Sequence, residues 1–324
     1  MTGQPRVVAL GGGHGLAASL QALTQVTDQL TAVVTVADDG GSSGRLRREM
    51  GALPPGDLRM ALAALAGDDA WSQQWERLIQ HRFDGDGPLA GHAVGNLVLT
   101  ALADTSSGIV EALDLVGRLV GAKGRVLPAS VTPLEIVASV IGLDPANPSA
   151  VTEVVGQVAV ATTPGALCGL RVEPPHPEAC AEAVQAVLEA DFVVLGPGSW
   201  FTSVLTHFLV PDLRDAIIKT RAKRVVALNL APQTGETDGF SPETHLEVLA
   251  SHAPELDIDV VLADETAVLD TRGLMSPGLR ELVQAGGGRL VLAPVAMDDG
   301  SARHDPRKLA QAFGSIMRGQ PLWP

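Results

Sequence analysis

Glycines cluster where a short apolar run of the chain gives way to a helical pattern. Val7-Val8-Ala9-Leu10 has the composition of a buried strand, and the run Gly11-Gly12-Gly13-His14-Gly15 follows it directly. Consecutive glycines allow a sharp turn, and the helix that follows directs its N–H groups and the positive end of its dipole at that turn. This arrangement favours an anion such as a phosphate. The alternative is a tight turn that binds nothing.

A second loop combines carboxylates, hydroxyls and a guanidinium group in the run Asp38-Asp39-Gly40-Gly41-Ser42-Ser43-Gly44-Arg45. In nucleotide-binding folds an acid at the end of the second strand commonly meets a ribose hydroxyl, and a further acid can hold a divalent cation through oxygen. We expect the two acids to divide these roles, and the two serines and the arginine to meet phosphate oxygens. A plain Asp-Gly turn with solvated acids is the alternative.

Two more segments carry groups that could do chemistry at the start of a helix. Pro54-Pro55-Gly56-Asp57 predicts a helix start with Asp57 as its N-cap. The other role open to Asp57 is to complete a cation or hydroxyl site together with Asp39. Gly91-His92-Ala93-Val94-Gly95-Asn96 opens a further helix. His92 is there either a general base or a polar residue whose hydrogen bonds the fold satisfies.

The second half of the chain repeats the strand, turn and helix pattern of the first loop. Gly196-Pro197-Gly198-Ser199 follows an apolar run, and Thr202 adds a hydroxyl as the next helix begins. We expect a second anion site here, or the far end of the same extended ligand.

Polar side chains near the C-terminal strands complete the candidate set. Asn229, Gln233 and Glu236 are suited to hydrogen bonds with the edge of a base or sugar. Arg303 precedes the last helix and could contact a diphosphate with two nitrogens.

Apolar runs that alternate with helical patterns predict a parallel sheet built from βαβ units. The predicted strands cover residues 6–10, 31–36, 191–195, 224–230, 257–262 and 289–293. The predicted helices cover residues 16–25, 177–190, 211–220, 242–252 and 306–318, and residues 57–120 are mostly helical. The glycine-rich loops therefore fall at the carboxyl ends of parallel strands.

Residues 125–175 differ, because their β-type runs at 134–141, 151–162 and 166–172 are punctuated by proline and glycine. We predict a small β-rich insertion. The fold class that follows is α/β, a single Rossmann-like, doubly wound domain over residues 1–324 with a mostly parallel sheet and this insertion within it.

The charge and hydropathy of the chain limit the kinds of partner that it can bind. The chain has 23 Lys and Arg residues against 37 Asp and Glu residues, for a formal net charge of -14, so no overall positive field attracts nucleic acid or an anionic membrane. Its uncharged stretches are interrupted by glycine and proline, unlike a membrane helix of about 20 apolar residues. The first residues lack the basic and apolar regions of a signal peptide. We expect a cytoplasmic protein with no nucleic-acid partner and no membrane insertion.

Signature motifs of several enzyme classes do not fit. A G-x-G-x-x-G fingerprint starting at Gly11 would need glycine where Leu16 stands, and no G-x-x-x-x-G-K-[ST] occurs. No His-x-x-x-His pair lies on one helical face. Dinucleotide enzymes, P-loop NTPases and zinc enzymes are therefore disfavoured.

Taken together, the motifs resemble the gluconeogenesis factor (YvcK) family, which is related to the 2-phospho-L-lactate transferases (CofD-like). The likeness spans nearly the whole chain and is carried by the runs at residues 11–16, 35–47, 54–59 and 196–199, by Gly91-His92 with Gly95-Asn96, and by Gln233 with Glu236. It implies a Rossmann-like fold and binding of a UDP-sugar such as UDP-N-acetylglucosamine. It also implies a role in cell shape and in the partitioning of carbon between gluconeogenesis and cell-wall precursors.

One departure and one transferred role follow from this resemblance. The first loop of the family commonly reads Gly-Gly-Gly-Thr-Gly, whereas His14 replaces the threonine here. In the transferase relatives, acids of the second and third loops hold a divalent metal, and by motif this role falls on Asp39 and Asp57. Mg²⁺ is therefore the expected cofactor if one is used, and a homodimer and protein partners of cell-wall synthesis are expected.

The leading hypothesis is a regulatory protein that binds UDP-N-acetylglucosamine, and the alternative is a metal-dependent transferase of phosphate-containing groups. No catalytic residue is assigned. The expected ligand-binding residues are Gly11, Gly12, Gly13, His14, Gly15, Asp38, Asp39, Ser42, Ser43, Arg45, His92, Asn96, Gly196, Gly198, Ser199, Thr202, Asn229, Gln233, Glu236 and Arg303, and the expected metal ligands are Asp39 and Asp57.

Overall fold

A computed structural model describes residues 3–233, 236–237, 239–268 and 277–320. The strands are β1 (Val7–Gly11), β2 (Leu30–Val34), β3 (Arg125–Pro128), β4 (Glu135–Ile141), β5 (Thr152–Val155), β6 (Ala166–Glu173), β7 (Phe192–Leu195), β8 (Lys223–Ala227), β9 (Val260–Asp264) and β10 (Arg289–Ala293).

The helices in the described part of the chain flank or connect these strands. They are α1 (Gly13–Leu23), α2 (Gly41–Met50), α3 (Gly56–Ala64), α4 (Ala70–Gln80), α5 (Val94–Thr105), α6 (Ile109–Leu119), α7 (Gln157–Ala161), α8 (Ala181–Glu189), α9 (Pro211–Lys219), α10 (Pro242–His252), α11 (Pro277–Ala285) and α12 (Pro306–Arg318). A π-helical turn (Trp200–Val204) and a 3₁₀ turn (Leu205–Leu209) follow β7. No helix in this part is both long and apolar enough to cross a membrane.

The main sheet has seven parallel strands in the order β10-β9-β8-β7-β1-β2-β3. All six predicted strands are present, and the predicted α/β, doubly wound fold is confirmed. The central strands read as continuous apolar runs because helices cover both faces of the sheet. In β1, for example, all five residues are buried.

The direction of winding reverses at β1. From β1 the chain moves outward to β2 and β3, and it later returns to the other side of β1 with β7 and continues outward to β10. Because crossover connections between parallel strands are right-handed, α1 and α9 lie on opposite faces of the sheet. The reversal makes the gap between β1 and β7 a topological switch point, where a crevice opens outside the carboxyl ends of the strands.

The insertion is a three-stranded antiparallel sheet in the order β5-β4-β6. Two boundaries differ from the sequence expectation. Residues 125–128 belong to the main sheet as β3, paired in parallel with β2. The run 151–162 is split, because Gly156 at φ +99° ends β5 and α7 follows. The division of the chain into domains stays a prediction.

The predicted helical region after residue 57 is confirmed as α3 to α6, and the helices that open with Pro211, Pro242 and Pro306 begin at those prolines. In contrast, α8 begins four residues later than predicted. Ala179 is held extended by an antiparallel bridge to Ser130, so the helix starts only after it.

Candidate functional site

The first glycine loop packs directly on the loop that follows β7. A Cβ added to Gly15 would lie 2.3 Å from the carbonyl oxygen of Pro197 and 2.6 Å from the Cα of Gly198. The hydroxyl of Ser19, in α1, reinforces the contact by donating to the carbonyl oxygen of Gly196 (3.0 Å). Since the two backbones touch, the two loops that the sequence predicts for phosphate form one continuous surface.

A cleft of about 500 Å³ opens beside this contact, at the carboxyl ends of β1, β7 and β8. We refer to it as the switch-point cleft, and its volume is in the range of small-molecule sites. The structure brings six of the expected ligand residues together in its wall, namely His14, Gly15, Gly198, Asn229, Gln233 and Arg303. The segment between β10 and α12 closes the far side with Met297 and His304.

A second cavity, of about 620 Å³, lies at the opposite edge of the sheet beside the amino ends of β1 and β2. Its cations are paired with acids, as Arg6 is with Glu189 (3.7 Å) and Arg125 is with Asp114 (2.8 Å). Ligands of doubly wound folds bind outside the carboxyl ends of the strands. We therefore place the candidate site at the switch-point cleft, although it is the smaller of the two cavities.

Asn229 shapes the switch-point cleft from within. Its Oδ1 accepts from the N–H of Gly198 (2.9 Å), and its Nδ2 donates to the carbonyl oxygen of the same residue (2.8 Å). Nδ2 also lies 3.3 Å from Oε1 of Gln233. Asn229 therefore fixes the turn after β7 through its own amide, rather than presenting a free amide to a base or sugar.

His304 is a cleft residue that the sequence argument left out of the ligand set. Burial lowers its pKa to about 4, against the opposing effects of a hydrogen bond with the backbone of Leu228 and the charge of Asp264. The imidazole is thus neutral at physiological pH and can exchange hydrogen bonds with an uncharged base. Arg303, beside it, is exposed at the cleft mouth and donates to Asp299 (3.0 Å).

The helical turn after β7 already holds an anion, and that anion is the chain's own Glu236. Oε1 of Glu236 accepts from the N–H groups of Phe201 (2.9 Å) and Thr202 (3.2 Å), and the Ser199 hydroxyl donates to the same oxygen. Burial raises the pKa of Glu236, and these hydrogen bonds oppose the rise. The expected second anion site at Ser199 and Thr202 is therefore corrected to an internal cap, because an internal carboxylate occupies the position.

Replacing Glu236 with alanine is expected to lower the free energy of unfolding by about 1.5 to 3 kcal/mol, because two backbone N–H groups and a hydroxyl lose a charged acceptor. Chemical denaturation of the variant measures the change. Glu247, exposed in α10, is the matched control, and Glu247→Ala should leave stability within about 0.5 kcal/mol of the parent. Equal losses in the two variants would contradict the capping role.

On the other side of the first loop, the side chain of Asp57 packs against Gly12 and Gly13. A Cβ added to Gly12 would lie 2.5 Å from Oδ2 of Asp57, and the N–H of Gly13 donates to the Asp57 carboxylate. Burial and then the charge of Asp38 raise the pKa of Asp57 to about 7, and Gly13 and Arg59 oppose this. The predicted N-cap role is wrong. Pro55 precedes α3 as its cap, and the Asp57 side chain binds the first loop.

Asp39 is directed to the insertion. Its Oδ1 accepts from the N–H of Val158 in α7 (3.0 Å), and its Oδ2 would lie 2.2 Å from a Cβ on Gly156. Asp38 is the acid whose charge acts on Asp57, and a metal held by Asp39 and Asp57 stays a prediction. Within the described ranges, no three His, Cys, Asp or Glu side chains converge as ligands of one ion.

Arg45 anchors the loop that carries His92. Its two terminal nitrogens donate to the backbone carbonyl oxygens of Pro88 and Ala90, the latter at 2.8 Å. These bonds use two of the five N–H donors of the guanidinium group. Arg45 therefore holds this loop in place, and its contact with a phosphate stays a prediction.

Ser42, His92 and Asn96 form a buried chain of hydrogen bonds. Oγ of Ser42 lies 2.8 Å from Nδ1 of His92 and accepts from Nδ2 of Asn96 (3.0 Å). Burial, followed by the charge of Arg45, lowers the pKa of His92. The neighbouring hydroxyl of Ser43 accepts from the N–H of Gly56 (3.0 Å). The sequence left two roles open to His92. The structure favours the second of them, a polar residue whose hydrogen bonds are made within the protein.

Fold and cleft together define a doubly wound α/β protein with its candidate site at the switch point of a parallel sheet. A sequence profile of the family described as 2-phospho-L-lactate transferase CofD matches residues 7–276. A putative gluconeogenesis factor of Mycobacterium leprae is 49% identical over 319 residues, which are 97% of this chain and 87% of the relative. The gluconeogenesis factor of Listeria monocytogenes is 35% identical over 328 residues, 98% of this chain and 97% of the relative.

A solved structure agrees with these likenesses. A member of the UPF0052 family from Bacillus halodurans superposes with a TM-score of 0.82 at 29% identity, covering 97% of this chain and 99% of that one. The chain belongs to the CofD-like family, within the group of gluconeogenesis factors.

Proposed function

We propose that the protein binds a nucleotide-sugar in the switch-point cleft, with UDP-N-acetylglucosamine as the expected ligand. One observation carries the proposal. Two glycine loops, which touch where Gly15 meets Pro197, line one cleft at the carboxyl ends of adjacent parallel strands. Because the net charge of the chain is strongly negative, a diphosphate needs local donors. The N–H of Gly13 is used by Asp57, so the N-terminus of α1 offers the N–H groups of His14 and Gly15 and the positive end of a helix dipole.

The cleft wall suggests how the parts of such a ligand are divided. His14 and the start of α1 lie where phosphates are favoured, and Arg303 stands at the mouth. The neutral His304 and the side chain of Gln233 offer hydrogen bonds to an uncharged base or sugar. Magnesium is not needed for this arrangement.

The biological role that we propose is regulatory. The protein acts in the cytoplasm, and nucleotide-sugar occupancy sets its interaction with proteins of cell-wall synthesis, and so affects cell shape and the partitioning of carbon. The names of the Mycobacterium leprae and Listeria monocytogenes relatives, both gluconeogenesis factors, support the link to carbon use. A homodimer is compatible with the proposal and is not required by it.

The second candidate function is metal-dependent transfer of a phosphate-containing group. It is favoured by the paired acids Asp38 and Asp57, since a carboxyl with a pKa of about 7 can take up or release a proton near neutral pH. Two carboxylates together with water and substrate phosphates are also a donor set that Mg²⁺ accepts. Bound Mg²⁺ would neutralise negative charge that develops on a transferred group.

Calorimetric titration distinguishes the two functions. We expect UDP-N-acetylglucosamine to bind with a dissociation constant that is unchanged by Mg²⁺, and GDP and NAD to bind at least about tenfold more weakly, a difference of about 1.4 kcal/mol. Binding that requires Mg²⁺ and extends to GDP would favour the transferase. Equal affinity for NAD would remove the nucleotide-sugar proposal.

A further inference from the structure

His304 lies where the hairpin that precedes α12 meets the end of β8. Ala296 and His304 form an antiparallel bridge, and the N–H of Met297 donates to the carbonyl oxygen of Arg303 (2.9 Å). One ring nitrogen of His304 bonds with the backbone of Leu228, just after β8. The hairpin therefore places this imidazole in the wall of the switch-point cleft.

The donors and acceptors around His304 determine where its proton lies. The N–H of Leu228 is already used, because it donates to the carbonyl oxygen of Leu262 (2.9 Å), so the imidazole must donate to the carbonyl oxygen of Leu228. Burial lowers the pKa of His304, and this bond opposes the fall, as expected for a ring that donates. A neutral imidazole has a single N–H, and its other nitrogen is an acceptor. In the part of the chain that the structure describes, no group donates to that second nitrogen, which is left for a ligand.

The charges along the switch-point cleft favour an uncharged group beside His304. The carboxylate of Asp264 is close enough to act on this imidazole. Burial opposes ionisation of Asp264, but hydrogen bonds from Thr266 and from the N–H groups of Val295 (2.8 Å) and Ala296 (3.0 Å) hold its pKa below the usual value. A phosphate would be repelled by this charge and is favoured instead at the start of α1.

Apolar side chains lie close to His304 in the same wall. Leu230 follows Leu228 by two residues, Met297 adjoins the bridge between Ala296 and His304, and both line the cleft. A nucleobase has two apolar faces and a polar edge. Because this part of the wall combines apolar side chains with a single acceptor nitrogen, it suits a base better than a sugar, whose hydroxyls surround the ring.

We infer that His304 determines which base the cleft accepts: its unprotonated nitrogen accepts the ring N–H of uracil, so that uridine nucleotides are selected over cytidine nucleotides. Uracil carries N3–H, whereas cytosine has a lone pair on the same atom of a ring of nearly the same shape. With cytosine, two acceptors would face each other, and the imidazole has no second proton to give because Leu228 holds the first. This inference rests on the proposed function and adds to it the residue that reads the base.

Calorimetric titration of the full chain with UDP and with CDP tests the inference, because these two ligands differ only in the base. We expect UDP to bind about 10- to 100-fold more tightly than CDP. His304→Phe keeps a ring at this position but removes the acceptor. It should bring the two dissociation constants within about threefold of each other, mainly through a loss of affinity for UDP.

The matched control is His14→Phe, at the α1 end of the same cleft. It alters the phosphate end, so it should change the affinities for UDP and CDP by the same factor and leave their ratio as in the parent. We expect His304→Phe to be less stable than the parent, because the Leu228 carbonyl loses its donor, but the ratio of two affinities measured on the folded protein does not depend on that loss. A ratio that collapses in both variants, or in neither, would overturn the assignment to His304.

The proton on His304 can also be observed directly. In ¹⁵N-edited imidazole spectra of the free protein, assigned with His304→Phe, we expect one neutral tautomer, and UDP but not CDP should move the resonance of the unprotonated nitrogen upfield. Two tautomers in exchange would overturn the inference. Equal affinity of the parent for UDP and CDP would also overturn it and leave nucleotide-sugar binding intact. If the parent binds neither UDP nor UDP-N-acetylglucosamine, the proposed function fails and the inference fails with it.

Discussion

Replacing Gly15 with alanine is expected to lower the free energy of unfolding by about 3 kcal/mol and to weaken nucleotide-sugar binding at least about 100-fold. The added methyl would lie 2.3 Å from a backbone oxygen of the loop after β7, and neither backbone can yield without moving a strand end. Alanine is otherwise the better helix former by about 1 kcal/mol. Any loss of stability therefore measures the contact between the two loops.

Gly117→Ala provides the comparison for this prediction. Gly117 lies inside α6, where an added Cβ would meet its nearest neighbour at 3.7 Å, an ordinary contact. We expect this variant to be as stable as the parent or more so by up to about 1 kcal/mol. Chemical denaturation and calorimetry of both variants test the idea. Parental affinity in Gly15→Ala would show that the loops do not form one binding surface.

Asp57→Asn is expected to make the protein more stable above neutral pH. Because the pKa of Asp57 is raised from 3.8 to about 7 in the folded state, the folded protein holds this proton more tightly than the unfolded chain does. Its contribution to stability is thus fully present below about pH 4 and is lost as pH rises through about 7. The difference corresponds to at most about 4 kcal/mol.

Denaturation between about pH 4 and pH 8 measures this effect. Asparagine keeps the oxygen that accepts from Gly13, so the variant should retain the loop contact and lose most of the pH dependence of the parent. Asp86→Asn, at an exposed position, is the control and should follow the parental profile. If Mg²⁺ binds at Asp38 and Asp57, it should stabilise the parent at pH 8 but not Asp57→Asn. Parallel profiles of parent and Asp57→Asn would refute the burial of this carboxyl.

The parallel sheet could be predicted because its strands are apolar on both faces and are separated by helices with clear starts. The edge strand β3 could not, since it has only four residues, follows a glycine and ends at Pro128. Proline donates no hydrogen bond and commonly ends a strand. In sequence this segment therefore reads like the proline-punctuated insertion that follows it.

The parts of the candidate site that the backbone forms could be predicted from the sequence. Glycines at positions 12 and 15 mark places where other chain segments approach too closely for a side chain. Both are among the ligand-binding residues expected from the sequence. Polar side chains were harder, because Arg45, Asn229 and Glu236 each bind groups 31 to 45 residues away in the chain. Their types fit a ligand as well as they fit the protein, and only the fold decides between the two.

The pairing of β1 with β7 also bears on how the chain is made. Arg6, just before β1, donates its N–H to Asp191 (2.8 Å), a partner 185 residues later. The central strand β1 thus gains its second neighbour only after about 185 further residues have been made. At about 5 to 20 residues per second on the ribosome, β1 waits roughly 10 to 40 s for β7. The nascent N-terminal half has an open sheet edge during that time, and the ligand cleft is a product of late, long-range assembly.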